Sequence, residues 1–341
     1  MSMRIFLTII SIFLSSLSVA HSQILKHDDI TFKVFKTLRE LDPFSNFAYS
    51  PLLLHSALNF IYENSNGTLK SELESFNNIT NLPKETKVLK YKFDFSYSEN
   101  LSLKKNRIKT CGFDFKKTSF DNPFELFTIE LFSIFDSKWE NKFDEKLTEK
   151  RTFGNKKYGV SEVDFMKGDF QINYSSNSSF RYVSLPFADE RYEMFLFKPK
   201  ANFTLDDFSI AVYLEALKDF SHPRVHVTIS LPKFEISSVI NFIPILKGLD
   251  ICRLFEFSNE YNFFEEDIKI KCQQFSSLTK VSISENGVKA FSLMSMSFVT
   301  LGSNQTEEIP IVFDLDEPFI YVIVDRQFSQ ILYIGQIVNL K

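Results

Sequence analysis

The chain has 341 residues and a mass of 39.8 kDa, with 39 Lys and Arg against 43 Asp and Glu, a formal net charge of −4. That balance lacks the basic excess of a nucleic-acid binder, and 44% hydrophobic with 24% charged residues excludes disorder for the bulk of the chain. Phe is abundant at 40 and Gly scarce at 9; neither a GxGxxG nor a GxxxxGK(S/T) loop occurs, which argues against a nucleotide-dependent enzyme.

In chain order, Arg4 followed by the apolar stretch Ile5 to Leu17 and a small-residue site ending at Ala20 or Ser22 reads as a signal peptide over residues 1–22. The stretch is too short to span about 30 Å of hydrocarbon. The expectation is a secreted, extracellular protein, not membrane-bound, with residues 23–341 as one domain. Seven Asn-X-Ser/Thr triplets, at Asn66, Asn78, Asn100, Asn173, Asn177, Asn202 and Asn304, suit a glycoprotein on that route. Cys111, Cys252 and Cys272 have no metal-ligand spacing; one bridge between Cys252 and Cys272, or three buried thiols, are both compatible with it.

Apolar residues at helical spacing from Ile30 to Leu41 predict a first helix, stopped by Asp42 and Pro43. Ser50 before Pro51 opens a second, with Leu54, Ala57, Leu58 and Ile61 on one face. Thr68 to Phe76 reads as a third. From about residue 90 the pattern changes to alternation, as in 91–95 and 225–231, and the chain ends in two strands, 319–324 and 331–338. Helices first and strands after predict an α+β protein with large, mostly antiparallel sheets.

Catalytic signatures are missing. His55 sits in an apolar helix pattern and reads as a core residue. The acidic run 264–267 reads as solvated surface. No HExxH, GxSxG or Cys–His signature occurs. The expectation is a protein that is not an enzyme and needs no cofactor or metal.

Several stretches share one resemblance. Asn46, Ser50 and Pro51 open the second helix as the serpin family does; Phe135, Trp139, Phe143, Thr148 and Phe153 match its "KW…FD…T…F" run. Residues 185–194 match its LPY…M hairpin, 231–234 its LPKF. Phe313, Glu317 to Phe319 and 331–335 match its C-terminal hairpin. The chain is thus similar to serpins over residues 27–341. The resemblance implies the serpin fold, monomeric, with an exposed reactive-centre loop at about 285–312. It also implies inhibition of a serine endopeptidase, by cleavage of that loop and its insertion as a strand into the main sheet.

Carried over residue by residue, Glu285, Gly287, Val288 and Ala290 are the loop hinge, and Glu285 pairs with Lys233 near Trp139 at the breach. Counting from Glu285 places the cleaved bond at Leu301–Gly302, which suits an extracellular protease with an apolar, chymotrypsin- or elastase-like pocket. Counting back from Pro318 places it nearer 304–307. On insertion Val288, Ala290, Ser292, Met294, Met296 and Phe298 point inward and carry no charge, so insertion buries no ion. Departures are bulky Phe291 and Leu293, a sequon at Asn304 beside the bond, and shutter positions reading Leu53 and Leu131 beside Ser50 and Ser277. The segment 80–130 is shortened, with no clear counterpart of the helix that crosses the sheet face. These departures favour the alternative, a non-inhibitory serpin-fold binding or carrier protein. Lys104, Lys105, Arg107 and Lys109 could meet a polyanion, but read first as solvated surface.

Overall fold

A computed structural model describes residues 29–76, 85–104, 107–122, 124–219, 223–290 and 311–340. The expected cleavage site of the signal peptide, Asn78, and residues 291–310 with Leu301, Gly302 and Asn304 lie outside them. No helix among the described residues is long and apolar enough to cross a membrane.

The helical N-terminal part follows its pattern. Helix α1 covers 29–41 and α2 covers Pro51–Glu63. The Ser50 hydroxyl caps α2, accepting from the Leu53 amide at 3.4 Å and donating to the Leu332 carbonyl at 2.8 Å. Helix α2 is buried nearly all round, as its apolar sequence requires. Its His55 is a core residue, edge-on to Phe76 and 3.4 Å from the Thr31 hydroxyl. Short α3 (Gly67–Glu72), α4 (Ile210–Asp219) and α5 (Phe242–Lys247) complete the helices among the described residues.

Two sheets make up the rest. The larger runs in the order β1 (Phe47–Tyr49), β15 (Gln330–Ile337), β14 (Phe319–Asp325), β8 (Tyr192–Pro199), β7 (Phe180–Pro186), β6 (Gly159–Ser176), β9 (Val225–Pro232) and β13 (Ile311–Asp314). Strand β5 (Glu149–Asn155) pairs with the far end of β6. The second sheet runs β10 (Phe234–Asn241), β11 (Ser276–Ser284), β12 (Gly287–Ala290), β4 (Phe127–Lys138), β2 (Leu89–Ser98) and β3 (Asp114–Thr118).

Every residue of β14 is buried, and alternation divides its six apolar residues between two cores. Ile320, Val322 and Val324 pack with α1, α2 and α4. Phe319, Tyr321 and Ile323 join the inward side chains of the second sheet, among them Phe135, Val281 and Ile283. The abundance of Phe has a structural reason at the lower end, where Phe60 of α2 stacks on Phe113 at 4.1 Å and on Phe263 at 5.4 Å, with Phe95 5.0 Å from Phe263.

Close approach of β15 to its neighbours depends on Gly335. A Cβ there would lie 2.6 Å from both the Phe47 carbonyl oxygen and the Tyr321 hydroxyl oxygen. Gly335→Ala is therefore expected to cost about 1–3 kcal/mol by overpacking, read as a lower urea midpoint with unchanged m-value.

The shortened segment has a clear outcome. Residues 99–113 and 119–126 join β2 to β3 and β3 to β4 without a helix among the described residues. The outward face of the second sheet consequently exposes Phe132, Val239 and Leu278, the last two paired across β10 and β11.

Candidate functional site

The upper end of the second sheet, where β12 lies between β11 and β4, is where the motif residues meet. Trp139 just beyond β4 donates its indole N–H to the Ser284 carbonyl at 2.9 Å and stacks on Phe187, with ring centroids 4.9 Å apart. Its backbone N–H donates to the Asn286 carbonyl at 3.2 Å. Glu285, 5% exposed, bonds to the Lys233 ammonium at 2.9 Å and accepts from the Thr148 hydroxyl at 2.8 Å. The tight turn at Glu285 and Asn286 is thereby fixed from three sides.

Burial alone pushes the Glu285 carboxyl up, but Lys233, its own backbone N–H and Thr148 outweigh that and hold it below the ordinary glutamate range. Because the folded value is depressed, its stabilisation is complete above the unfolded value of about 4.3 and is lost as pH falls through the folded one. Lys233→Met is expected to destabilise the fold by about 1 kcal/mol at pH 7, since the lysine is one-third exposed. It should also reduce the stability lost on acidification; urea unfolding at pH 7 and pH 3 measures both.

From this turn the hinge descends as β12. It pairs antiparallel with β11 (Ser282↔Lys289, Ile283↔Val288, Ser284↔Gly287) and with β4, from Gly287↔Lys138 to Ala290↔Phe135. Val288 is fully buried in the second core, on the inward side. Gly287 has φ +151°, and a Cβ on it would lie 2.2 Å from the Ser137 carbonyl oxygen. Only glycine fits that crossing without strain.

Below Ala290 no described strand joins the two halves. Among the described residues, 127–134 of β4 pair only with β2, and 276–281 of β11 only with β10. Among the described residues, four-residue β12 alone joins the halves. Behind the opening lies a cavity of about 1620 Å³. Ser50, Leu53, Leu131 and Ser277 all line it. The Ser277 hydroxyl is buried without a partner among the described residues. Leu53 and Leu131 bring no polar group to this opening, where the Ser133 and Tyr333 hydroxyls hydrogen-bond to each other at 2.7 Å. The exposed apolar rim of Phe124, Phe132, Phe257 and Leu278 was not foreseen from sequence.

The chain returns at β13, parallel to β9. Arg151 pairs with Asp314, and Lys198 donates to the Asp314 carbonyl at 2.7 Å and pairs with Asp316. Twenty residues, 291–310, thus connect two anchored ends.

Other expectations fare differently. All three cysteines are free: Cys252 is exposed, and burial pushes the Cys111 and Cys272 thiols up to about 11. The Cys252–Cys272 bridge is therefore absent, and so is a set of three buried thiols. Asn66, Asn100, Asn177 and Asn202 lie at or near the surface, whereas Asn173 is 7% exposed within β6, opposite Ser184, where a glycan has no room. In the basic cluster Lys109 is paired with Glu63, and Lys105 is outside the described residues.

Comparison with known proteins fits this geometry. The family model described as Serpin (serine protease inhibitor) matches residues 114–340. Iripin-5 of Ixodes ricinus is 25% identical over 229 residues, 65% of this chain and 57% of its own length. An uncharacterized serpin-like protein of Methanosarcina mazei is 27% identical over 212 residues, 60% of this chain and 48% of its own. The chain spans about half the length of the curated relatives it matches. Among solved structures, cleaved Serpin 42Da superposes with a TM-score of 0.76 at 14% identity, covering 94% of this chain and 100% of that one. Human thyroxine-binding globulin gives 0.77 at 16% identity, covering 94% and 99%. With the α+β serpin fold present and the family model matching from β3 to residue 340, this chain belongs to the serpin family.

Proposed function

We infer that this serpin is a secreted, monomeric, glycosylated inhibitor of serine endopeptidases with an apolar specificity pocket, and that it acts by inserting its cleaved loop. Serpins are mostly protease inhibitors rather than enzymes; in this reading the nucleophile belongs to the protease, and the chain supplies a bait and a trap.

One observation supports the reading: the hinge already lies between β4 and β11 at the top of the sheet, and below it no described strand fills the slot between them. Extending the pairing Ala290↔Phe135 places residues 291–298 opposite 134–127 of β4, eight positions or about 26 Å of strand. The unpaired edges on both sides gain partners, and the inward positions Met294, Met296 and Phe298 enter the cavity. Insertion completes a sheet whose halves are joined, among the described residues, by the four of β12.

A chymotrypsin-like protease that attacks at Leu301 is then expected to remain attached through an ester to the Leu301 carbonyl, with Gly302 leaving as the new amino terminus, seen as a complex that survives boiling in detergent and has the mass of the protease plus the chain up to Leu301. Leu301→Asp should slow its formation at least about 100-fold, because an apolar pocket does not accept a carboxylate. Cleavage without such a complex would contradict inhibition. It would favour the second reading, a binding or carrier protein, which Leu53 and Leu131 at the opening support.

A further inference from the structure

We propose that the cavity lined by α2, β4 and β11 binds a long-chain amphiphilic anion of the fatty-acid class in the intact protein. The proposal does not rest on the inhibitory reading, since it concerns the chain before any cleavage.

At about 1620 Å³ the cavity exceeds the roughly 300–1,000 Å³ typical of pockets for drug-sized ligands. Its inner wall is apolar, formed by Leu54, Ala57, Leu58 and Ile61 of α2 with Phe242 and Leu254. Its mouth is apolar as well. Four large hydrophobic side chains that stand strongly exposed among the described residues line this one cavity: Phe124 at 90%, Leu278 at 72%, Phe257 at 62% and Phe132 at 57%. Scattered exposed apolar residues need no explanation, but a cluster around one opening marks a binding site. A hydrocarbon chain suits a space lined by these apolar side chains better than a polar metabolite.

Charge selects the head group. On one lip Lys269 and Lys271 are exposed, and the Lys271 ammonium sits 4.5 Å above the Phe257 ring, which holds it at the opening. Lys280 also lines the cavity but is engaged by Glu235 at 2.6 Å. Glu125 and Glu130 lie on the β4 side, so an anionic head is directed to the Lys269 and Lys271 lip and away from β4. The buried Ser277 hydroxyl, without a partner among the described residues, offers a polar contact within the same space.

The test is titration of the intact full chain with cis-parinaric acid, a fluorescent long-chain polyene acid. One saturable site of micromolar affinity is expected, with palmitate competing and the uncharged alcohol of the same length competing at least about tenfold less well. Ala57→Trp, which fills the inner wall, should abolish binding. Lys271→Glu is a surface change that leaves the core untouched, and it should weaken binding about tenfold. No saturable binding, binding indifferent to both substitutions, or equal competition by acid and alcohol would each overturn the proposal.

Discussion

Nicking the chain at Leu301–Gly302 is expected to raise its melting temperature by about 6–13 °C. Insertion in the register set by Ala290↔Phe135 brings Met294, Met296 and Phe298 from water into the cavity behind the slot. Full burial of such side chains stabilises by about 1.5–3 kcal/mol each. Unfolding entropy near 2.1 cal/mol/K per residue converts the sum into a shift of that size for a chain this long. The new backbone hydrogen bonds on both edges offset the ordering of the inserted segment. Scanning calorimetry of intact and nicked protein measures the difference; equal melting temperatures would mean that the slot stays empty.

Gly287→Val is expected to have the second large effect. A Cβ at that position overlaps the Ser137 carbonyl oxygen at 2.2 Å and crowds the Lys138 Cα at 2.6 Å, and both are backbone. The φ of +151° adds strain of about 1–3 kcal/mol for a β-branched residue. Since neither neighbour is a movable side chain, β12 must leave the sheet. The two halves of the second sheet then lose the strand that joins them, and the intact protein should melt several degrees lower. More tellingly, the variant should be cut by the protease as a substrate, without a covalent complex and without the rise on nicking. Gel analysis beside calorimetry separates this outcome from simple misfolding, because an unfolded chain would be degraded at many sites.

Much of this site was legible because its residues fall in contiguous motifs. Ser50 and Pro51 announce α2 through capping chemistry that acts within four residues. Glu285, Gly287, Lys233 and Trp139 belong to segments whose spacing carries the family pattern, and in the fold they lie together at the top of the slot. Alternation placed Val288 on the inward side, where it is fully buried. What escaped the sequence depends on distant contacts or on chain that is missing. Phe132 and Leu278 are exposed because no described helix covers their face, and nothing in their own neighbours signals that. The cavity arises between α2, β4 and β11, which are far apart in sequence. Asn173 satisfies a three-residue rule that cannot sense its enclosure opposite β7. Cysteine spacing was equally uninformative, since pairing depends on geometry that Cys252 and Cys272 do not have.

Hydrogen exchange of the backbone amides along the slot, before and after nicking, tests the central claim most directly. In the intact protein the slot-facing amides of residues 127–134 and 276–281 have no strand partner among the described residues and should exchange fast, while those of Gly287 to Ala290 are held by β12 pairing. After nicking, the slot-facing amides should become protected together with residues 291–298. If both edges exchange as fast in the nicked protein as in the intact one, the loop does not enter the sheet and this serpin does not work as a trap.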